Sequence, residues 1–151
     1  MQPNVYHGLR EMALNVSAAD LGIDVTLGDP YGVVMDMGYA EANVTLVTFS
    51  DGTASLYYSS GGGLLGGGGH EAVRRVAKRL VETAKAFLPH MEAATDFPLP
   101  AVGQVQFFIL TPSGAYGFQS SSDDLRDGKS QFSKLFYNAH AVITELRLVA
   151  E

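Results

Sequence analysis

The sequence predicts one α+β domain over residues 1–151, in the order α-β-β-β-α-β-β-α, with a mostly antiparallel sheet of about five strands. Three observations lead there. Two long segments, 71–88 and 131–148, repeat apolar residues at three- and four-residue spacing, the signature of helices with one buried face. Several short segments alternate or run apolar and are rich in β-branched and aromatic residues. Turn signals join those segments as hairpins, which demands antiparallel neighbours.

The first helix is expected over Val5–Val16, where Val5, Leu9, Met12 and Val16 form an apolar stripe that should face the core. Gly28, Asp29 and Pro30 then stop any continuing element. Strands are expected at Gly32–Tyr39, Asn43–Ser50 and Thr53–Ser60. The second is apolar on both faces and belongs in the middle of the sheet, and Asp51-Gly52 turns it into the third. The helix from Glu71 to Leu88 carries Val73, Val76, Ala77, Leu80, Ala84, Phe87 and Leu88 on one side, and Pro89 ends it. Gln104–Thr111 and Ala115–Ser121 form a second hairpin around Pro112-Ser113-Gly114. The last helix, Gln131–Leu148, places Phe132, Leu135, Phe136, Ala139, Val142, Ile143 and Leu146 on one face, with Ser130 as its cap. The segment around Asp123 and Asp124 reads as a solvated loop, because its acids lack the spacing of a calcium loop.

Charge and composition exclude several functions. Residues 1–70 hold a single base, Arg10, against seven acids, whereas residues 71–151 are balanced. An acidic chain without a basic stripe is unsuited to nucleic acid. No apolar run approaches the length of a membrane span. The first sixteen residues lack a basic start followed by an apolar core, so no signal peptide and a cytoplasmic location are expected. Without cysteine there are no disulfides and no thiolate chemistry. His7, His70, His90 and His140 form no ligand pattern, so no metal and no cofactor is expected. His140, beside the apolar face of the last helix, reads as a hydrogen-bonded structural histidine.

The most unusual segment is Ser59–His70, SSGGGLLGGGGH, in which seven of the nine residues from Gly61 to Gly69 are glycine. Three roles are open. The tract is a flexible loop; or it is an ordered loop in which glycine lets backbone pack closely, anchored by Leu64 and Leu65; or it cradles an anion at the start of the following helix. In the third role the ligand-binding residues are Gly66, Gly67, Gly68 and Gly69 through their N–H groups, with His70 and Arg74 as side-chain contacts. No lysine follows the glycines as in a nucleotide-binding P-loop, and Glu71 would repel a phosphate. His70 near Ser59 and Ser60 lacks the context of a nucleophile elbow, so no catalytic residue is assigned.

Tyr57 and Tyr58, like Phe107 and Phe108, send bulky rings to opposite faces of the sheet. Both faces then need cover, from the helices or from a second subunit, which suggests a homodimer. In element order, size and acidity the chain resembles the class I chaperones of type III secretion. That resemblance implies a bacterial dimer that holds a protein partner in extended form. The stretch DGTASLYYSSGGGLLGGGGH with its following helix also looks like a group of small bacterial proteins without a known activity. The expected function is binding of a protein or peptide partner rather than catalysis, with the small anionic ligand at the glycine tract as the alternative.

Overall fold

The computed structural model describes residues 3–66 and 69–150. Its centre is one antiparallel sheet of seven strands: β1 (Gly32–Gly38), β2 (Asn43–Phe49), β3 (Ala54–Tyr58), β4 (Gly63–Leu65), β5 (Glu92–Ala94), β6 (Gln104–Thr111) and β7 (Gly114–Ser121). The spatial order is β4-β3-β2-β1-β6-β7-β5, so the β1–β4 meander meets the β6–β7 hairpin where β1 pairs with β6, Val34 opposite Phe108, and β5 adds at the outer edge of β7. The helices are α1 (Pro3–Asn15), α2 (Glu71–Phe87), α3 (Ser122–Arg126) and α4 (Ser133–Ala150).

The α+β class stands, and the expected five strands become seven. The two additions are three-residue strands at the edges: β4 lies inside the glycine tract and β5 in the proline-containing linker after α2. Both are too short to show any periodicity. The segment around Asp123 and Asp124, expected as a loop, forms α3, with the Ser121 hydroxyl accepting the Asp124 N–H at 3.1 Å as its N-cap. The Ser130 hydroxyl accepts the Phe132 N–H at 3.0 Å at the entry to α4.

On one face of the sheet, α2 and α4 lie side by side. Their expected stripes are buried there against Val33, Met35, Leu46, Leu56, Phe107 and Ile109. A column of rings, Phe107, Phe118 and Phe132, locks α4 to β6 and β7, the last two stacked at 3.7 Å. The other face carries a single helix, α1, together with parts of the segments 18–31 and 94–97, over Val34, Val47, Phe108 and Leu110. The chain therefore supplies cover on both faces of its central strands.

α1 is rotated relative to its expected orientation. The buried side is Tyr6, Arg10, Ala13 and Leu14, while Val5 and Met12 of the apolar stripe are 44% and 69% exposed. The reason is Asp36, which points from the middle of β1 toward α1 and is fully buried. Arg10 meets its carboxylate at 2.7 Å through Nη2, and the Thr45 hydroxyl donates to it at 2.6 Å. The Tyr6 hydroxyl joins Thr45 Oγ1, also at 2.6 Å. Turning the stripe inward would expose Tyr6 and Leu14, with no net gain in apolar burial. It would also strand a buried carboxylate, at a cost of about 3–5 kcal/mol.

Candidate functional site

A cavity of about 440 Å³ opens at the end of the sheet where β1 leaves and β6 enters, beneath α3 and α4. Glycine builds its floor. The chain at Pro100–Gly103 crosses directly over Gly38, where a Cβ would collide with the Ala101 carbonyl. Gly103, with φ +82°, donates its N–H to the Gly38 carbonyl at 2.9 Å and accepts from Ser122 N–H at 2.9 Å. That pair of bonds ties β1, the crossing loop and α3 together.

The wall is largely apolar, with Met37, Val105 and Phe136 at depth. Tyr39, Val102 and Tyr137, each about half or more exposed, stand around the cavity. The Tyr137 hydroxyl donates to the Arg126 carbonyl at 2.8 Å, holding α4 to α3. The Arg126 guanidinium is paired with Asp123.

His140 is the polar residue that sets this wall apart. Its ring lies edge-on to Phe136, with centroids 4.3 Å apart. Its Nε2 is buried and has no hydrogen-bond partner among the described residues. Burial, and secondarily the positive charge of Arg147, lower its pKa, so the imidazole is neutral at pH 7. This corrects the expectation of a hydrogen-bonded structural histidine. Buried polar atoms in folded proteins nearly always have a partner, so an orphan nitrogen on a side chain that also lines a cavity is an exception that calls for an explanation. The sequence placed His140 beside the apolar face of α4 but carried no sign that the β1–β6 end would leave a cavity beside it.

The glycine tract is put to several uses. Gly61 and Gly62, at φ +120° and +82°, make the turn between β3 and β4. A Cβ at Gly63 would stand 2.5 Å from the Leu56 carbonyl, and one at Gly66 would run into the Leu146 side chain. These positions follow the close-packing role. Leu64 is partly buried against the core, whereas Leu65 is 76% exposed.

Of the candidate anion ligands, Gly66 donates its N–H to the Ala54 carbonyl at 3.0 Å, within the sheet. Gly67 and Gly68 lie outside the described residues. Gly69 and His70 are exposed, and His70 precedes α2 with no side-chain capping bond. Arg74 donates to the Glu71 carboxylate at 2.9 Å, and its stem lies against Gly52. Among the described residues no three metal-ligating side chains come together, and no helix is long and apolar enough to cross a membrane. Comparison with family models, with curated proteins and with solved structures returns no match.

Proposed function

We propose that the chain is a binding module whose site is the cavity between the β1–β6 end and α4, and that it takes a small, mostly apolar molecule offering one hydrogen-bonding group to His140. The observation that carries this reading is a largely apolar cavity of ligand size whose wall includes His140, a histidine with a buried, partnerless Nε2. An unsatisfied buried nitrogen costs about 1–3 kcal/mol, which a ligand group would recover on binding as the His140 ring turns to present it to the cavity. The apolar lining supplies the remaining affinity and the aromatic rim shapes the entrance.

A thermal-shift screen with indole, hydroxybenzoates and medium-chain fatty acids tests the proposal. A ligand present at 100 times its dissociation constant stabilises the fold by about 2.7 kcal/mol. The stabilised melting point should be lost in Ala40→Trp, which fills the exposed cavity margin. In His140→Phe, which keeps a ring and removes the nitrogen, affinity should fall roughly five- to a hundredfold. A flat response across the panel, or equal binding by His140→Phe, would overturn the reading.

A further inference from the structure

The cavity lining is almost free of charge. Among the described residues that form it, Arg126 alone carries one, since His140 is neutral and no acid is present. The Arg126 guanidinium is already matched: it pairs with Asp123 through Nη2 and stands 4.0 Å from Asp127 through Nε. Both acids lie in or just after α3, and neither lines the cavity. Arg147, further along α4, is felt by the imidazole but also lies outside the lining.

A matched cation of this kind favours neither sign of ion. A carboxylate brought to Arg126 would also meet the field of Asp123 and Asp127, and an ammonium brought toward those acids would meet Arg126. At depth, between Met37, Val105 and Phe136, either ion would lose its hydration with no counter-charge in its place. An uncharged polar head avoids that cost, and the lining holds hydrogen-bonding groups for it. The Ser122 hydroxyl makes no hydrogen bond among the described residues. Gln104 accepts from Gln119 through Oε1 at 3.4 Å and keeps its amide N–H groups unpartnered there.

Taking the cavity as the binding site, we infer that its ligand is uncharged: an apolar body ending in an alcohol or an amide that hydrogen-bonds to Gln104 or Ser122. Two features at different places agree on this, the uncharged wall at depth and the self-matched cation of α3. The same arrangement makes Asp123 and Asp127 specificity residues that act without touching the ligand. By holding Arg126 they keep it from capturing carboxylates, a selection made by repulsion as much as by attraction.

Four probes share one apolar body and differ in the head: phenylbutyramide, phenylbutanol, phenylbutyrate and phenylbutylamine, the last two ionised at about pH 7. Titration calorimetry should show saturable binding of the amide and the alcohol, and at least tenfold weaker binding of both ions. Ala40→Trp, which fills the cavity margin, should abolish binding of the amide. Asp123→Asn with Asp127→Asn should release Arg126 and tighten phenylbutyrate severalfold, with the amide unchanged. Both acids are exposed, so the fold should survive, and a circular dichroism spectrum checks that. If phenylbutyrate or phenylbutylamine binds the native protein as tightly as the amide, and Ala40→Trp removes that binding, the uncharged class is overturned while the site stands. If the double variant does not tighten phenylbutyrate, the role of the two acids is overturned. If no probe binds at about 1 mM, or Ala40→Trp binds the amide normally, the cavity is not the site and the inference falls with it.

Discussion

A neutral histidine held away from water couples protonation to unfolding. His140 has a folded pKa lowered chiefly by burial, whereas in the unfolded chain it titrates near the ordinary value of about 6.5. Below that value the unfolded state binds a proton that the folded state resists, so stability falls as pH drops through the window under about 6.5. Above it, both states are neutral and the group adds no slope. One such proton contributes at most about 1.4 kcal/mol per pH unit. Urea denaturation at pH 7.5 and pH 5.5 should show this loss in the native protein and a clearly smaller one in His140→Gln. An equal loss in both would assign the slope to other groups. Residue identities alone could not reveal this environment, nor that of Arg10, which is buried. Its partner Asp36 lies twenty-six positions away, and only the register of β1 under α1 brings them together.

Helices and strands were legible where one physical requirement dominated. α2 and α4 bury the stripes their spacing announces, because the sheet face they meet is mostly apolar and holds no buried charge among the described residues. α1 does not, because a buried carboxylate outranks a stripe whose burial would only exchange one set of apolar atoms for another. The glycine tract was legible as a peculiarity but not as an element: β4 has no periodicity, and its glycines serve a turn and close packing in turn. Gly66 is the sharpest case. Its missing side chain leaves room for Leu146 of α4 against the edge of the sheet. Gly66→Ala should therefore overpack this junction and destabilise the protein by about 1–3 kcal/mol. Gly69→Ala, where a Cβ meets nothing within 4 Å, should stay within about 0.5 kcal/mol. Thermal melts of the two variants give the comparison, and equal melting points would remove the close-packing account of the tract.

Across the whole molecule, charge and shape work against each other. The α+β class was legible because hairpin signals and helical stripes agree, whereas the uneven cover of the two sheet faces depends on how α1 docks and was not. That docking leaves the acidic part of the chain next to an incompletely covered apolar face. Glu11, Asp20 and Asp51 are exposed in residues 3–66, where the single Lys or Arg, Arg10, is buried and paired. Glu11→Lys should lower this excess of negative charge and raise the melting temperature by about 1–2 °C, as expected for a few tenths of a kcal/mol in a chain of this size. Raising salt from low to physiological strength should act in the same direction, because it screens exposed charges far more than the buried Arg10–Asp36 pair. Calorimetry reads the shift, and if Glu11→Lys instead lowered the melting temperature, Glu11 would be stabilising the fold through local contacts that outweigh the relief of net charge.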